Sequence, residues 1–147
     1  MKFIIETNKT KDEILQIIKD NTSEHRGVFF SNNGEFFNGK ILENSFKIQR
    51  NISYRNSFLP VIIGKIEEND FVSKVNIKMR MNLFIKGFMT FWFTFVILFC
   101  LMVPFLHFDM PFCFIPYIML VFGIVLAVLP NRIETRKAKE KLEELLR

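Results

Sequence analysis

Charge is missing from one long stretch of this sequence: between Gly87 and Pro130 there is no Lys, Arg or Glu, and Asp109 is the sole carboxylate. Histidine is scarce as well. His25 and His107 stand far apart with no Cys beside His25, so no metal site is expected and His25 reads as a surface residue near a helix end. Cysteine is limited to Cys100 and Cys113, both in or beside the uncharged stretch, where a lone Cys acts as a small hydrophobe. Two such residues define no disulfide framework. Gly34, Gly39 and Gly64 are isolated from one another, which excludes a phosphate-cradling loop and makes them turn or bulge positions. The serines lack a nucleophile-elbow or Ser-x-x-Lys context. These absences lead us to expect no catalytic residue, no cofactor and no metal, and to read the chain as a non-enzyme. The opening Met-Lys-Phe-Ile-Ile-Glu becomes charged after three apolar residues, too few for the apolar region of a cleaved secretory signal.

What the sequence does hold is strongly segregated. Half of its 147 residues are hydrophobic and 24% are charged, a combination that fits only if the two kinds are kept apart. Residues 87–106 and 111–130 are each about the ~20 residues that a ~30 Å hydrocarbon core demands of a helix. Between them, His107-Phe108-Asp109-Met110 carries the only strongly polar side chains, with Pro104, Pro111 and Pro116 crowding the same end. We therefore expect a two-helix transmembrane hairpin over residues 83–130.

Cations fix its orientation. Lys74, Lys78, Arg80 and Lys86 precede the first span, Arg132, Arg136, Lys137, Lys139 and Lys141 follow the second, and the connection has none. The positive-inside rule then places both termini in the cytosol, a two-pass arrangement in a bacterial cytoplasmic (inner) membrane. Lys74, Lys78, Arg80 and Lys86 are expected to meet anionic headgroups, each gaining about 1 kcal/mol there. Within the spans, Thr90 and Thr94 are expected to bond their own helix carbonyls at i−4. Gly123 and Ala127 form a small-xxx-small face for close packing against the first helix or another copy.

Residues 1–82 read as a cytosolic α+β domain. Phe3-Ile4-Ile5 has strand character, and Thr10-Lys11-Asp12-Glu13 is a capping box opening a helix whose apolar face is Ile14, Leu15, Ile17 and Ile18. Antiparallel hairpins follow. Val28-Phe29-Phe30 and Glu35-Phe36-Phe37 flank Ser31-Asn32-Asn33-Gly34; Ile41 and Phe46 to Arg50 flank Glu43-Asn44-Ser45; Val61 to Ile66 and Phe71 to Met81 flank Glu67-Glu68-Asn69-Asp70. In the last strand Val75, Ile77, Met79 and Met81 face one way and Lys74, Asn76, Lys78 and Arg80 the other. This strand runs into the first span with almost no linker, so the sheet is expected to lie against the inner headgroups.

Thirteen cations against ten carboxylates in the first 82 residues form no basic stripe, so nucleic acid is not an expected partner. The segment 50–60 departs from plain strand patterning. There Arg50, Tyr54, Arg55 and Asn56 could grip an anion or a lipid phosphate, the plainer alternative being a loop that bonds its own backbone. Residues 131–147 read as a cytosolic amphipathic tail with Ala138, Leu142, Leu145 and Leu146 on one face, docking on the membrane, on the domain or on another copy.

Phe37-Asn38-Gly39, Phe46-Lys47-Ile48-Gln49-Arg50, Tyr54-Arg55-Asn56-Ser57-Phe58-Leu59-Pro60 and Gly64-Lys65-Ile66, followed by a strand entering a Phe- and Trp-rich hairpin, form one pattern. The pattern resembles a family of small bacterial membrane proteins with a cytosolic N-terminal α+β domain and a two-helix transmembrane hairpin. The resemblance spans about residues 36–106 and implies neither an activity nor binding residues. Frequent Asn, Lys, Ile and Phe also suit an AT-rich bacterial genome.

The expected architecture is thus a small antiparallel sheet with one helix, then the hairpin, then the amphipathic helix. The expected role is a membrane-tethered binding or regulatory module of unknown ligand, its partners being the lipid bilayer, anionic headgroups, and a second copy or another membrane protein. The rival is an oligomerising membrane-perturbing effector or immunity protein.

Overall fold

A computed structural model describes residues 1–23, 35–54, 56–68, 72–105 and 112–147. The expected strand at Val28-Phe29-Phe30 with its Asn-Gly turn, His25, Arg55, Asn69-Asp70 and the His107-to-Met110 connection lie outside the described residues.

The fold is mixed α+β. Strands β1 (Lys2–Thr7), β2 (Thr22–Ser23), β3 (Phe37–Leu42), β4 (Ser45–Arg50), β5 (Pro60–Glu68) and β6 (Ser73–Met81) form one sheet in the order β1-β6-β5-β4-β3-β2. All neighbours are antiparallel except β2 and β3. The sheet is larger than the sequence suggested, because β1 pairs with the last strand, Phe3 opposite Ile77 and Ile5 opposite Val75. A strand pairing across some seventy residues leaves no local pattern.

Helix α1 (Lys11–Asp20) begins as the sequence predicts. The Thr10 hydroxyl accepts from the Glu13 amide at 3.3 Å while Glu13 Oε2 accepts from the Thr10 amide at 2.8 Å, satisfying two donors that the first turn would otherwise strand. Its face Ile14 and Ile18 is fully buried on the sheet. Gly39 and Gly64 are strand residues rather than turn or bulge positions. A Cβ on Gly64 would fall 2.1 Å from the ring of Phe46, the residue opposite it on β4, so the buried ring takes the space a side chain would need.

Among the described residues, two helices are long and apolar enough to cross a membrane. Helix α2 (Leu83–Met102) starts one residue after β6, capped by Asn82, whose Oδ1 accepts from the Phe84 amide at 3.0 Å. Helix α3 (Ile115–Leu146) is continuous through Pro130, where the sequence led us to divide hairpin from tail. Proline forfeits one helix hydrogen bond. The turns beyond it are held by tertiary burial: Glu134, Ala138, Leu142 and Leu146 recur every fourth residue as one buried stripe. Ala138, Leu142 and Leu146 join Ile5, Ile14, Ile18, Phe37, Phe46, Ile48, Ile62, Ile66, Val75, Ile77 and Met79 in a single core. Residues 131–147 are thus a wall of the N-terminal domain, and α1 is not the sheet's one helix.

In the apolar pair, Gly123 is buried against Trp92 and Phe93, and the Tyr117 hydroxyl donates to the Cys100 carbonyl at 3.2 Å. Those two contacts define an antiparallel register that brings Lys86 level with Pro130. Thr90 and Thr94 each donate to the carbonyl four residues back at 2.9 Å, as predicted. Phe91, Phe95, Leu98, Leu101, Ile118, Val121 and Phe122 are exposed around the pair. Such a belt is what hydrocarbon would cover.

Helix α3 runs beside β1 in the same direction. Lys139 Nζ lies 5.4 Å from the Phe3 ring centre, and Lys9 Nζ donates to the Leu146 carbonyl at 3.2 Å. β1 and α3 therefore run in the same sense, with their C-terminal ends on the same side of the domain. Met1, Pro60 and Met81 mark the end of the sheet nearest the apolar pair, and Thr7, Glu68 and Ser73 mark the far end.

Candidate functional site

The feature that joins the two halves of the molecule is a carboxylate clamp. Arg50, the last residue of β4, forms an ion pair with Glu134 of α3, and the Tyr54 hydroxyl donates to the other carboxylate oxygen. Glu134 is 1% exposed, one turn beyond Pro130. An unpartnered carboxylate buried so deeply would cost several kcal/mol, and here both of its oxygens have a partner.

Each member is positioned by its surroundings. The Arg50 guanidinium lies over the Phe36 ring at 5.2 Å, with Lys141 on the same ring at 5.9 Å. Asn51 ties the start of the following loop to the chain before β3, its amide donating to the Phe36 carbonyl at 2.8 Å and its side chain to the Glu35 carbonyl at 3.2 Å. Asn56 accepts from the Phe58 amide at 2.9 Å, a local turn bond. The loop thus bonds its own backbone while Arg50 and Tyr54 reach out to α3. The hydrogen bond to Glu134, then burial, then the Glu134 charge raise the Tyr54 pKa above its ordinary value, against a smaller opposing effect of Arg50.

Of the residues the sequence proposed as anion ligands, Arg50 and Tyr54 come together on an anion supplied by the chain itself. Asn56 serves the backbone and Arg55 lies outside the described residues. Glu134 went unrecognised in the sequence, although a signal existed. It continues the i, i+4 stripe of Ala138 and Leu142 backward by one turn, and a Glu on an otherwise apolar stripe asks for a buried partner.

The residues expected at headgroups separate along the strand. Arg80 and Lys86 stand at the end nearest the apolar pair. Lys74 is six residues from Arg80 on the same face of β6, about 20 Å at strand rise, and its Nζ meets Glu6 at 3.0 Å. Lys78 lies between Lys2 on β1 and Ile63 on β5, and Lys47 and Lys40 continue the same cross-strand row. Partial burial, then the like charges of Arg80 and Lys2, hold the Lys78 pKa below the usual lysine value. Gly123 faces α2 of its own chain, with Ala127 half-buried one turn on.

No known protein family, no curated protein and no solved structure matches the chain, so the resemblance to small bacterial membrane proteins rests on the quoted motifs alone.

Proposed function

We propose that the chain is a two-pass protein of a bacterial cytoplasmic membrane with both termini in the cytosol, and that its N-terminal domain is a binding or regulatory module coupled rigidly to the second span. One observation carries this reading: α3 is a single helix from the apolar pair into the domain core, and Arg50 and Tyr54 clamp its Glu134 where it passes the end of the sheet. A simple tether needs only a linker. Here any tilt or rotation of the second span turns a wall of the domain with it.

Cation placement supports the orientation. Arg80, Lys86, Arg132 and Arg136 cluster where both spans meet the domain, and residues 106–111 contain no Lys or Arg. Because β1 and α3 run in the same sense, a domain so mounted stands on the end of its sheet. The row Lys2, Lys78, Lys47 and Lys40 then faces the cytosol sideways, open to a soluble partner or a neighbouring membrane protein. The rival effector reading needs a small-residue face for assembly, and Gly123 is covered by Trp92 and Phe93 of the same chain; this favours the module.

Impermeant thiol labelling tests the placement. In intact cells expressing variants without Cys100 and Cys113, single cysteines at Asn44 and Glu140 should stay unlabelled and one at Asp109 should react. Labelling at Asn44 before lysis would overturn the orientation.

A further inference from the structure

Between the near end of the sheet and α3 lies a cleft of about 500 Å³ lined by Met1 and Met81 on the sheet side and by Asn131, Arg132, Arg136 and Lys139 of α3. Its polar side is cationic. Arg132, Arg136 and Lys139 of α3 line it together with Arg80 of β6, and among the described residues no carboxylate lines it, although the chain as a whole holds 15 Asp and Glu. Its other side is apolar, its accessible part formed by Met1 and Met81. The Thr135 hydroxyl donates to Asn131 Oδ1 at 3.1 Å, which leaves the Asn131 amide nitrogen to act as a donor. Outside the cleft, Arg136 Nε meets Glu140 at 2.8 Å and Lys139 Nζ lies 3.7 Å from Glu143. Both are surface pairs, worth little against a stronger anion.

We propose that this cleft binds the phosphate of an anionic phospholipid, with Arg132 and Arg136 holding the phosphate oxygens, Lys139 adding charge, and Met1 and Met81 receiving the glycerol and upper acyl carbons. The proposal rests on the membrane reading above. Three features select a lipid over a free anion. The cleft begins at Asn131 and Met81, next to Pro130 and Asn82, at the level where both apolar stretches end. Its walls pair guanidinium groups suited to bidentate phosphate binding with flexible apolar side chains suited to a lipid's boundary region. A site for a soluble phosphate compound has no need of the methionine side.

The bound lipid lies against Arg132 and Arg136, two residues either side of Glu134 on α3, and against Met81, the last residue of β6, so it touches the domain where both spans join it. Lipid composition would thereby bear on the clamp.

The test uses the full chain in phosphatidylcholine vesicles containing trace spin-labelled phosphatidylglycerol or spin-labelled phosphatidylcholine. The motionally restricted fraction should favour phosphatidylglycerol by roughly fivefold to thirtyfold, the range that one or two interfacial cations supply. Arg132→Gln with Arg136→Gln should bring that preference close to parity, while Lys40→Gln with Lys47→Gln, equal in charge but on the open sheet face, should leave it intact. Inorganic phosphate at millimolar concentration should not displace the lipid. Parity in the unaltered chain, equal losses in the two double variants, or displacement by inorganic phosphate would each overturn the proposal. Flotation with the vesicles separates the two levels of inference: a chain that floats without lipid preference refutes the cleft alone, and a chain that fails to float refutes the membrane reading and the cleft together.

Discussion

Arg50 and Glu134, 84 residues apart in the chain, meet as an ion pair at the point where α3 leaves its apolar half and enters the domain core. Because Glu134 is buried, removing either partner strands a charge, and the expected loss of domain stability is about 3 kcal/mol for Arg50→Ala or Glu134→Ala. Replacing both by Met should cost less than either single change. Urea unfolding of the full chain in micelles, arranged as a double-mutant cycle, measures this; additive losses would show that the pair does not interact.

Tyr54 gives the clamp a spectroscopic signature. Its pKa is raised in the folded chain, so the protonated phenol is the form that folding favours. That stabilisation is fully present below the unfolded value near 10 and is lost as pH rises through the higher folded value. With Tyr117→Phe as background, ultraviolet titration should find Tyr54 above the ordinary tyrosine value, and Glu134→Gln should bring it down. An unchanged titration in Glu134→Gln would contradict the hydrogen bond.

Leu142 is fully buried in the domain core although it follows both apolar stretches in sequence. Leu142→Ala should destabilise the domain by about 2–5 kcal/mol, and removal of residues 131–147 should abolish its folding. Pulsed proteolysis in micelles reads both effects. A truncated chain that resists protease as the full chain does would show that residues 1–82 suffice.

Gly123 has Trp92 Nε1 and Phe93 Cε1 each 3.3 Å from where a Cβ would stand. Gly123→Leu should therefore push α2 from α3 and change the emission of Trp92, the only tryptophan, without altering the oligomeric state. Loss of an oligomer with unchanged Trp92 emission would instead place the small face between copies and revive the effector reading.

Much of this architecture was legible in the sequence because it is local. The Thr10-to-Glu13 capping box, the turn read at Glu43-Asn44-Ser45, of which Ser45 belongs to β4, the alternation of Val75, Ile77 and Met79, and the uncharged lengths of both apolar stretches each lie within one short window. What escaped depends on distant partners. The pairing of β1 with β6, the path of α3 through Pro130 and the clamp on Glu134 follow from packing that joins the two ends of the chain. Pro130 was misleading for a physical reason: its local cost is fixed, whereas the burial of Leu142 and Leu146 that outweighs it lies three and four turns further on. In the site, Arg50 and Tyr54 stood out as anion ligands, but nothing near them in sequence showed that the anion was Glu134.

The central claim is that the domain stands upright on the membrane, with β1 and α3 running in the same sense. Energy transfer from a donor on a single cysteine at Arg80 or at Lys74 to acceptor-labelled headgroups, with the full chain in vesicles, tests it directly. The two positions share one face of β6 and differ by about 20 Å along it. The account predicts strong transfer from position 80 and much weaker transfer from position 74; equal transfer from both would mean that the sheet lies flat on the headgroups and would contradict it.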